Sequence, residues 1–254
     1  SALRLYEDMS LWKCFFDELS IPTVFSSGFR DALKTGRNLA GAEFCAPMTA
    51  LHGHVRHLLD KADYVFVPFY LEDRQKKKHI RRQYCYYTQF APSLVSALDD
   101  QPGNRVLTPV VNYLYNRFHT KFQLYKMLKR ITRGDVTLMD VSAAFDKALK
   151  FKETCVQKLQ DCYVHEAKSP NNVSVVLLGR PYTVLSPAMN KGIIDIFAAK
   201  GVKVFFQDMV ACRESEIPSL GRLIDDIPWK YAARILETAQ EVAQTKGVYP
   251  VLVT

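Results

Sequence analysis

The chain has 254 residues, of which 48% are hydrophobic and 24% charged, a balance typical of globular proteins and sufficient for two domains. No apolar run approaches the roughly 18 residues of a membrane span, and no secretory leader is recognisable. The net charge is +8, with much of the excess in residues 74–82, RQKKKHIRR. Such a run is usually a solvated loop, and the alternative is contact with the phosphates of a nucleic acid or a coenzyme, or with an acidic partner domain. No zinc-finger, recognition-helix or RNA-sheet signature accompanies it, so a nucleic-acid partner is not favoured, and no membrane partner is predicted.

Six cysteines are spread along the chain without a pairing pattern. A secreted disulfide framework is therefore excluded, and a reducing cytoplasm is the predicted location. The sequence opens directly into LRLYEDMSLW and ends on the strand-like YPVLVT. We therefore expect a piece of a longer protein, truncated at its C-terminal end.

The first part of the chain alternates helical spacing with short apolar runs, the pattern of an open and mostly parallel α/β sheet. Helices are predicted over Tyr6–Leu19, Asp31–Gly36, Thr49–Lys61 and from Pro92 to Leu98. Strands are predicted over Pro22–Ser26, Tyr64–Tyr70 and Arg105–Val111.

Residues 112–168 carry no strand signal, and their apolar positions recur every three or four residues, which predicts a helical connector. Cys155 and Cys162 lie on its last helix, two turns and about 10 Å apart. That separation is too large for one zinc ion, whose bonds to sulfur are about 2.3 Å long. Both are therefore predicted to be core residues.

A second α/β unit follows the linker signal Ser169–Asn172. Its predicted strands are Val173–Leu178, Val202–Gln207 and Tyr249–Val253, and its predicted helices are Asn190–Lys200 and Trp229–Thr245. Neither G-x-G-x-x-G nor a P-loop occurs. The predicted fold is α/β, with two Rossmann-like, open and mostly parallel sheet units joined by a helical connector. The corresponding domains are 1–111, 112–168 and 169–254.

Cys45 lies just before a predicted helix, where the positive end of the helix dipole favours thiolate, the form that binds metal. A packed thiol is the alternative. Cys85 lies in another loop of the same unit.

His52 and His54 are two residues apart, so on a helix they face different sides. A zinc site of Cys45, Cys85 and His52 is an alternative, although its spacing is unlike that of a compact zinc module. The more common role for each histidine is that of a polar cap or a hydrogen-bonding residue.

The turn Gly179-Arg180-Pro181-Tyr182 follows a predicted buried strand. Gly179 permits a tight turn and close backbone approach. Arg180 then projects at the carboxyl edge of the sheet, where a phosphate or carboxylate would bind. The alternative is a structural arginine paired with Asp195 or Asp208.

Five stretches carry a family resemblance: LYEDMSLW, FCAPMTALHGHVRHLLDKADYVFVP, YCYYTQFAP, LLGRPYTVLSPAMNKGI and IPWKYAARIL. They resemble the domain found in acyl-CoA dehydratase activase-related proteins. Those proteins are part of the superfamily of 2-hydroxyacyl-CoA dehydratases, benzoyl-CoA reductases and double-cubane cluster proteins. The resemblance covers nearly the whole chain and is most specific at residues 45–54 and at the Gly179 turn.

The resemblance implies a four-iron or double-cubane iron–sulfur cluster, with Cys45 and Cys85 at two ligand positions. With such a cluster, His52, His54 and Arg180 are predicted to set its potential through hydrogen bonds to cluster sulfurs, and Gly179 and Tyr182 are the other predicted cofactor-binding residues. The resemblance also implies a companion ATPase domain, in the same or another protein, that delivers low-potential electrons, and an acyl-CoA as a possible ligand.

Two departures from the family pattern concern the ligands. Relatives carry a third cysteine just past the strand that matches Tyr249–Val253, and this chain ends at Thr254. They also usually have histidine where this chain has Thr183. Two cysteines are fewer than a cubane cluster usually takes, so this chain alone need not hold a cluster and is not expected to be catalytic by itself.

Two functions of different classes are therefore predicted. The first is an iron–sulfur electron-transfer component related to activators of 2-hydroxyacyl-CoA dehydratases. The second is a metal-free α/β binding or docking module, whose basic loop around Lys76–Lys78 contacts a partner domain or a coenzyme A phosphate.

Overall fold

The computed structural model describes residues 3–74, 80–101, 103–112, 117–132, 134–167, 173–213, 215 and 217–253. The chain forms two compact units. The first comprises Ser1–Arg74 and Tyr84–Lys152, and the second comprises Gln75–Gln83 and Glu153–Thr254. Lys76–Lys78 and the Ser169–Asn172 linker lie outside the described residues. None of the described helices is both long and apolar enough to cross a membrane.

The first unit begins with three helices: α1 (Leu5–Glu18), α2 (Ala32–Leu39) and α3 (Ala46–Leu59). α1 forms because its large apolar side chains recur at helical spacing and are buried together. The ring of Trp12 contacts those of Phe15, Phe66 and Phe145, and its indole N–H donates to the Tyr70 hydroxyl at 2.7 Å. This aromatic cluster is a core of the first unit.

Two short parallel strand pairs follow. β1 (Val65–Phe66) pairs with β5 (Val106–Leu107), and β2 (Phe69–Tyr70) pairs with β6 (Val110–Asn112). Each predicted strand, Tyr64–Tyr70 and Arg105–Val111, is thus interrupted near its proline, because proline has no N–H to donate to the ladder. The amides of Val67 and Phe69 still donate across the break, at 2.9 Å each.

The remaining elements of this part of the chain are β3 (Glu72–Arg74), β4 (Arg81–Gln83), α4 (Tyr86–Ser96), α5 (Arg117–Ile131) and α6 (Leu138–Glu166). α5 and α6 lie within residues 112–168, the segment predicted to be helical, and α5 and the first part of α6 belong to the first unit. The division between the two units falls within α6, after Lys152. α4 starts before Pro92, which lies inside the helix. The prediction of a helix only after Pro92 was wrong, because a proline inside a helix removes one N–H bond without necessarily ending the helix.

The second unit is built on a three-stranded parallel sheet in the order β8-β7-β9. Its strands are β7 (Ser174–Leu178), β8 (Lys203–Phe206) and β9 (Val248–Leu252). Its helices are α7 (Pro181–Val184), α8 (Pro187–Asn190), α9 (Ile193–Ala199), α10 (Pro218–Asp226) and α11 (Lys230–Ala243), with a short 3-10 helix at Gln207–Met209. The α/β class with two parallel sheet units is confirmed.

The central strand β7 is buried along its whole length, and its side chains alternate between two cores. Val176 and Leu178 pack with Phe205, Val242 and Tyr163 on one face. The side chains on the other face are Val175 and Leu177, packed with Val184, Ile193, Phe197 and neighbouring apolar residues. Burial on both faces explains the uninterrupted apolar sequence of this strand.

Two further local predictions were wrong, and helix α10 was not predicted. The strand predicted over Pro22–Ser26 does not form, because Val24 and Phe25 are 58% and 38% exposed and do not contribute to a core face. Cys155 and Cys162 are not core residues: Cys155 is half-buried, and Cys162 is exposed because its position on α6 faces solvent.

Candidate functional site

Cys45 is the residue at which helix α3 begins. Its backbone is extended, with φ −61° and ψ 150°, and its carbonyl accepts from the amides of Met48 at 2.9 Å and Thr49 at 3.0 Å. Its side chain does not cap the helix. The half-buried sulfur atom therefore belongs to a residue at the positive end of a 14-residue helix, a position that favours an anionic ligand atom.

Cys85 has the same role in helix α4. Its φ and ψ are −60° and 151°, and its carbonyl accepts from the amides of Thr88 at 2.9 Å and Gln89 at 3.1 Å. Its sulfur lies 3.7 Å from the Thr88 hydroxyl oxygen and does not cap the helix. Two cysteines in one compact unit thus share one backbone arrangement, a thiol placed at a helix N-terminus.

An aromatic contact joins the two helix starts. The Phe44 ring, one residue before Cys45, meets the Tyr87 ring, two residues after Cys85, edge to face with centroids 5.7 Å apart. The Phe44 ring also stacks on His52 at 5.2 Å. The structure therefore brings together the two loops that carry Cys45 and Cys85.

His52 is buried, and its hydrogen bond defines its neutral tautomer. Nδ1 lies 2.9 Å from the Met48 carbonyl oxygen, which can only accept, so Nδ1 carries the proton. The other ring nitrogen, Nε2, then has a lone pair and no proton. In this neutral tautomer, Nε2 can accept a hydrogen bond or bind a metal ion.

His54 lies in a different environment, as the two-residue spacing predicts. The centroid of its ring lies 6.1 Å from that of the Phe29 ring. The Phe29 ring also stacks on His57, with centroids 4.1 Å apart. Nδ1 of His54 is buried without a hydrogen-bond partner among the described residues. Burial, reinforced by nearby His57, lowers the pKa of His54 to about 3, so this ring is neutral at physiological pH.

Helix α3 is held in place by a close crossing with α2. A Cβ atom added at Gly53 would lie 2.0 Å from the Ala32 carbonyl oxygen, and one added at Gly36 would lie 1.8 Å from the Thr49 carbonyl oxygen. Both backbones approach to a distance that only glycine allows. The glycine between His52 and His54 therefore serves this helix crossing.

No group of three or more histidine, cysteine or acidic side chains that could hold a metal ion occurs among the described residues. Cys45 and Cys85 thus form at most a two-thiol ligand set within the described chain. Burial raises the pKa of the Cys212 thiol, which lies 3.5 Å from the Thr238 hydroxyl. A thiol that is kept protonated is a poor metal ligand.

The Gly179 turn lies at the carboxyl edge of the second unit's sheet, where β7 meets β9. Gly179 has φ +155°, and an added Cβ would lie 2.6 Å from the Val253 carbonyl oxygen. Its amide donates to the side-chain oxygen of buried Gln207 at 3.1 Å. The backbone that follows β9 approaches the end of its parallel neighbour β7 closely at this point, which explains the need for glycine.

Arg180 follows as the exposed residue that starts α7. Within the described part of the chain it forms no ion pair, and neither Asp195 nor Asp208 is bonded to it. Tyr182 is buried and packs edge to face on Tyr231 at 5.8 Å. The guanidinium therefore faces solvent at the sheet edge, whereas the Tyr182 ring contributes to packing.

Sequence reasoning identified the two cysteines but missed the residues that join their loops, Phe44 and Tyr87. The available signal was an aromatic residue within two positions of each cysteine. A family model described as CoA enzyme activase uncharacterised domain matches residues 1–210, which include Cys45, Cys85 and the Gly179 turn. Searches of curated proteins and of solved structures gave no match.

Proposed function

Because the chain belongs to the CoA enzyme activase uncharacterised domain family, we propose that it acts in ATP-coupled, low-potential electron transfer to an enzyme of the 2-hydroxyacyl-CoA dehydratase type. One observation carries the proposal: the edge-to-face contact of Phe44 with Tyr87 at 5.7 Å, which joins the helix starts of Cys45 and Cys85. In this proposal both thiolates bind an iron–sulfur cluster, and a companion ATPase component supplies the electrons.

In this proposal Cys45 and Cys85 supply two of the cluster's ligands. An iron–sulfur cluster, when bound, supplies one-electron transfer at a potential tuned by its surroundings. The chain's own residues contribute two helix N-termini that favour negative charge and, beside Cys45, the apolar ring of Phe44. The described residues do not group a third ligand with Cys45 and Cys85. The remaining cluster ligands would therefore come from residues other than the described ones.

The first test is the metal content of the full-length protein, purified without oxygen. Cys45→Ser and Cys85→Ser are each expected to abolish retention of iron and acid-labile sulfide, because a serine hydroxyl is a much poorer iron ligand than a thiolate. Cys162→Ser is the matched control, since this thiol is exposed on α6. It should leave both contents unchanged.

Three outcomes contradict the iron–sulfur proposal. Unchanged iron in both the Cys45 and the Cys85 variant would remove these thiols from the ligand set. Zinc without sulfide in the wild-type protein would replace the cluster with a zinc site. A wild-type protein that contains neither iron nor zinc would favour the metal-free docking module.

A specific observation favours a second candidate function, an anion site in the second unit. Arg180 is exposed at the carboxyl edge of the parallel sheet and forms no ion pair with a described residue. Ligands of open α/β sheets bind at such edges, and a guanidinium is suited to phosphate. The ligand in this proposal is a coenzyme A phosphate.

Calorimetric titration with coenzyme A tests this second candidate. Arg180→Ala is expected to weaken binding by about tenfold or more, because a hydrogen bond to a charged group contributes roughly 1.5–3 kcal/mol. Arg222→Ala, at an exposed position of α10, is the matched control and should bind as the wild type does. Equal binding by the Arg180 variant would remove this site. Replacing Lys76–Lys78 with glutamate tests the basic loop separately.

A further inference from the structure

The Phe44 ring lies between the loops that carry Cys45 and Cys85. On one side the ring stacks on buried His52, nearly parallel at 20° and with centroids 5.2 Å apart. On the other side it meets Tyr87 almost perpendicularly, at 88° and 5.7 Å. The ring therefore connects helix α3 to the first turn of helix α4.

The Phe44 main chain is held as well. The Thr49 hydroxyl donates to the Phe44 carbonyl oxygen at 3.4 Å. The proton of His52 is engaged by the Met48 carbonyl, which orients the imidazole as a flat surface for the Phe44 ring. Both supports belong to α3, so the ring moves with the helix that begins at Cys45.

We propose that Phe44 is a positioning residue, which holds the backbones of Cys45 and Cys85 at a set separation by bridging His52 to Tyr87. The functional meaning of this inference rests on the proposed function, because two thiolates can bind one cluster only if the distance between their loops is fixed. The geometric part concerns the two loops alone and can be tested without any metal.

The test is crosslinking of Cys45 to Cys85 with a short bis-maleimide, which alkylates one thiol at each end. The other four cysteines are replaced by serine, and the crosslinked peptide pair is quantified by mass spectrometry. Phe44→Leu is expected to lower the crosslinking yield about fivefold, the change in population that corresponds to about 1 kcal/mol for an aromatic pair. Phe44→Tyr keeps the ring and should restore the yield.

Phe29→Leu is the matched control, since Phe29 also stacks on a histidine of α3 but contacts His54 and His57 instead. It should crosslink as the parent does. Labelling of each thiol with a monofunctional maleimide should proceed at the same rate in all variants, which separates a changed spacing from local unfolding.

Three results would overturn the inference. They are an unchanged yield in Phe44→Leu, an equal loss in Phe29→Leu, or monofunctional labelling that rises in step with the loss of crosslinking. If Phe44→Leu lowers the crosslinking yield as expected but Cys45→Ser and Cys85→Ser both retain iron, the two thiols are not cluster ligands and the role of Phe44 still stands. The two proposals therefore fail separately.

Discussion

Gly53→Ala is expected to destabilise the protein by about 3 kcal/mol, although alanine is the better helix former by about 1 kcal/mol. The added Cβ would lie 2.0 Å from the Ala32 carbonyl oxygen and 2.7 Å from its carbonyl carbon. These are backbone atoms of α2 and cannot rotate away. The two helices must therefore separate, and the packing between them is lost.

Urea unfolding followed by circular dichroism measures this effect. Gly36→Ala should show a loss of similar size, because its added Cβ would meet the Thr49 carbonyl oxygen at 1.8 Å. Gly28→Ala is the matched control, since nothing lies within 4 Å of its added Cβ. A Gly53→Ala protein as stable as the wild type would show that α2 and α3 do not cross this closely.

Arg82→Ala is the second large effect, with an expected loss of about 3 kcal/mol. The Arg82 side chain is buried at 4% exposure, and it donates to the Glu237 carboxylate at 2.6 Å and to the Ile224 carbonyl at 3.1 Å. Truncation leaves the carboxylate of Glu237 and the carbonyl of Ile224 without this donor. Arg234, at 4.0 Å, offers Glu237 only a weak substitute.

Arg81→Ala provides the control, because this arginine is the preceding residue of the same basic run and is exposed. It should change the free energy of unfolding by less than about 0.5 kcal/mol. Replacing Arg82 and Glu237 together with methionine should recover part of the loss, since no buried charge is then left alone. Equal stability of the Arg81→Ala and Arg82→Ala proteins would contradict the buried ion pair.

Arg82 also shows a limit of reading charge from the sequence. The run at residues 74–82 predicts a solvated or phosphate-binding loop, and its Lys76–Lys78 lie outside the described residues. Its member Arg82 is instead a buried structural residue. The sequence shows that this segment is basic. Whether Arg82 is buried depends on the position of Glu237, which is distant in the sequence.

The sequence predicted the elements whose signals are local. The helical spacing of apolar residues located α1 and α3, and the continuous apolar run located β7. Strand breaks near Pro68 and Pro109 follow from residues visible in the sequence, although the prediction did not use them. The family was also recognisable, because its motifs are short and contiguous.

Residues that act across the chain depended on the tertiary structure. Cys45 and Cys85 are 40 positions apart, and no local pattern shows that their loops are joined through Phe44 and Tyr87. Gly53 appeared to belong to a histidine motif, yet its role is set by the Ala32 backbone of another helix.

The sequence by itself thus determined the α/β class, the family and the identity of two candidate thiols, because periodicity and motifs depend on neighbouring residues. Only the tertiary structure decided that both thiols start helices with the same backbone angles, and that the proton of His52 is engaged by Met48. It also decided that Arg180 is left exposed at a sheet edge. Distances between side chains arise from packing, and packing depends on the whole set of long-range contacts.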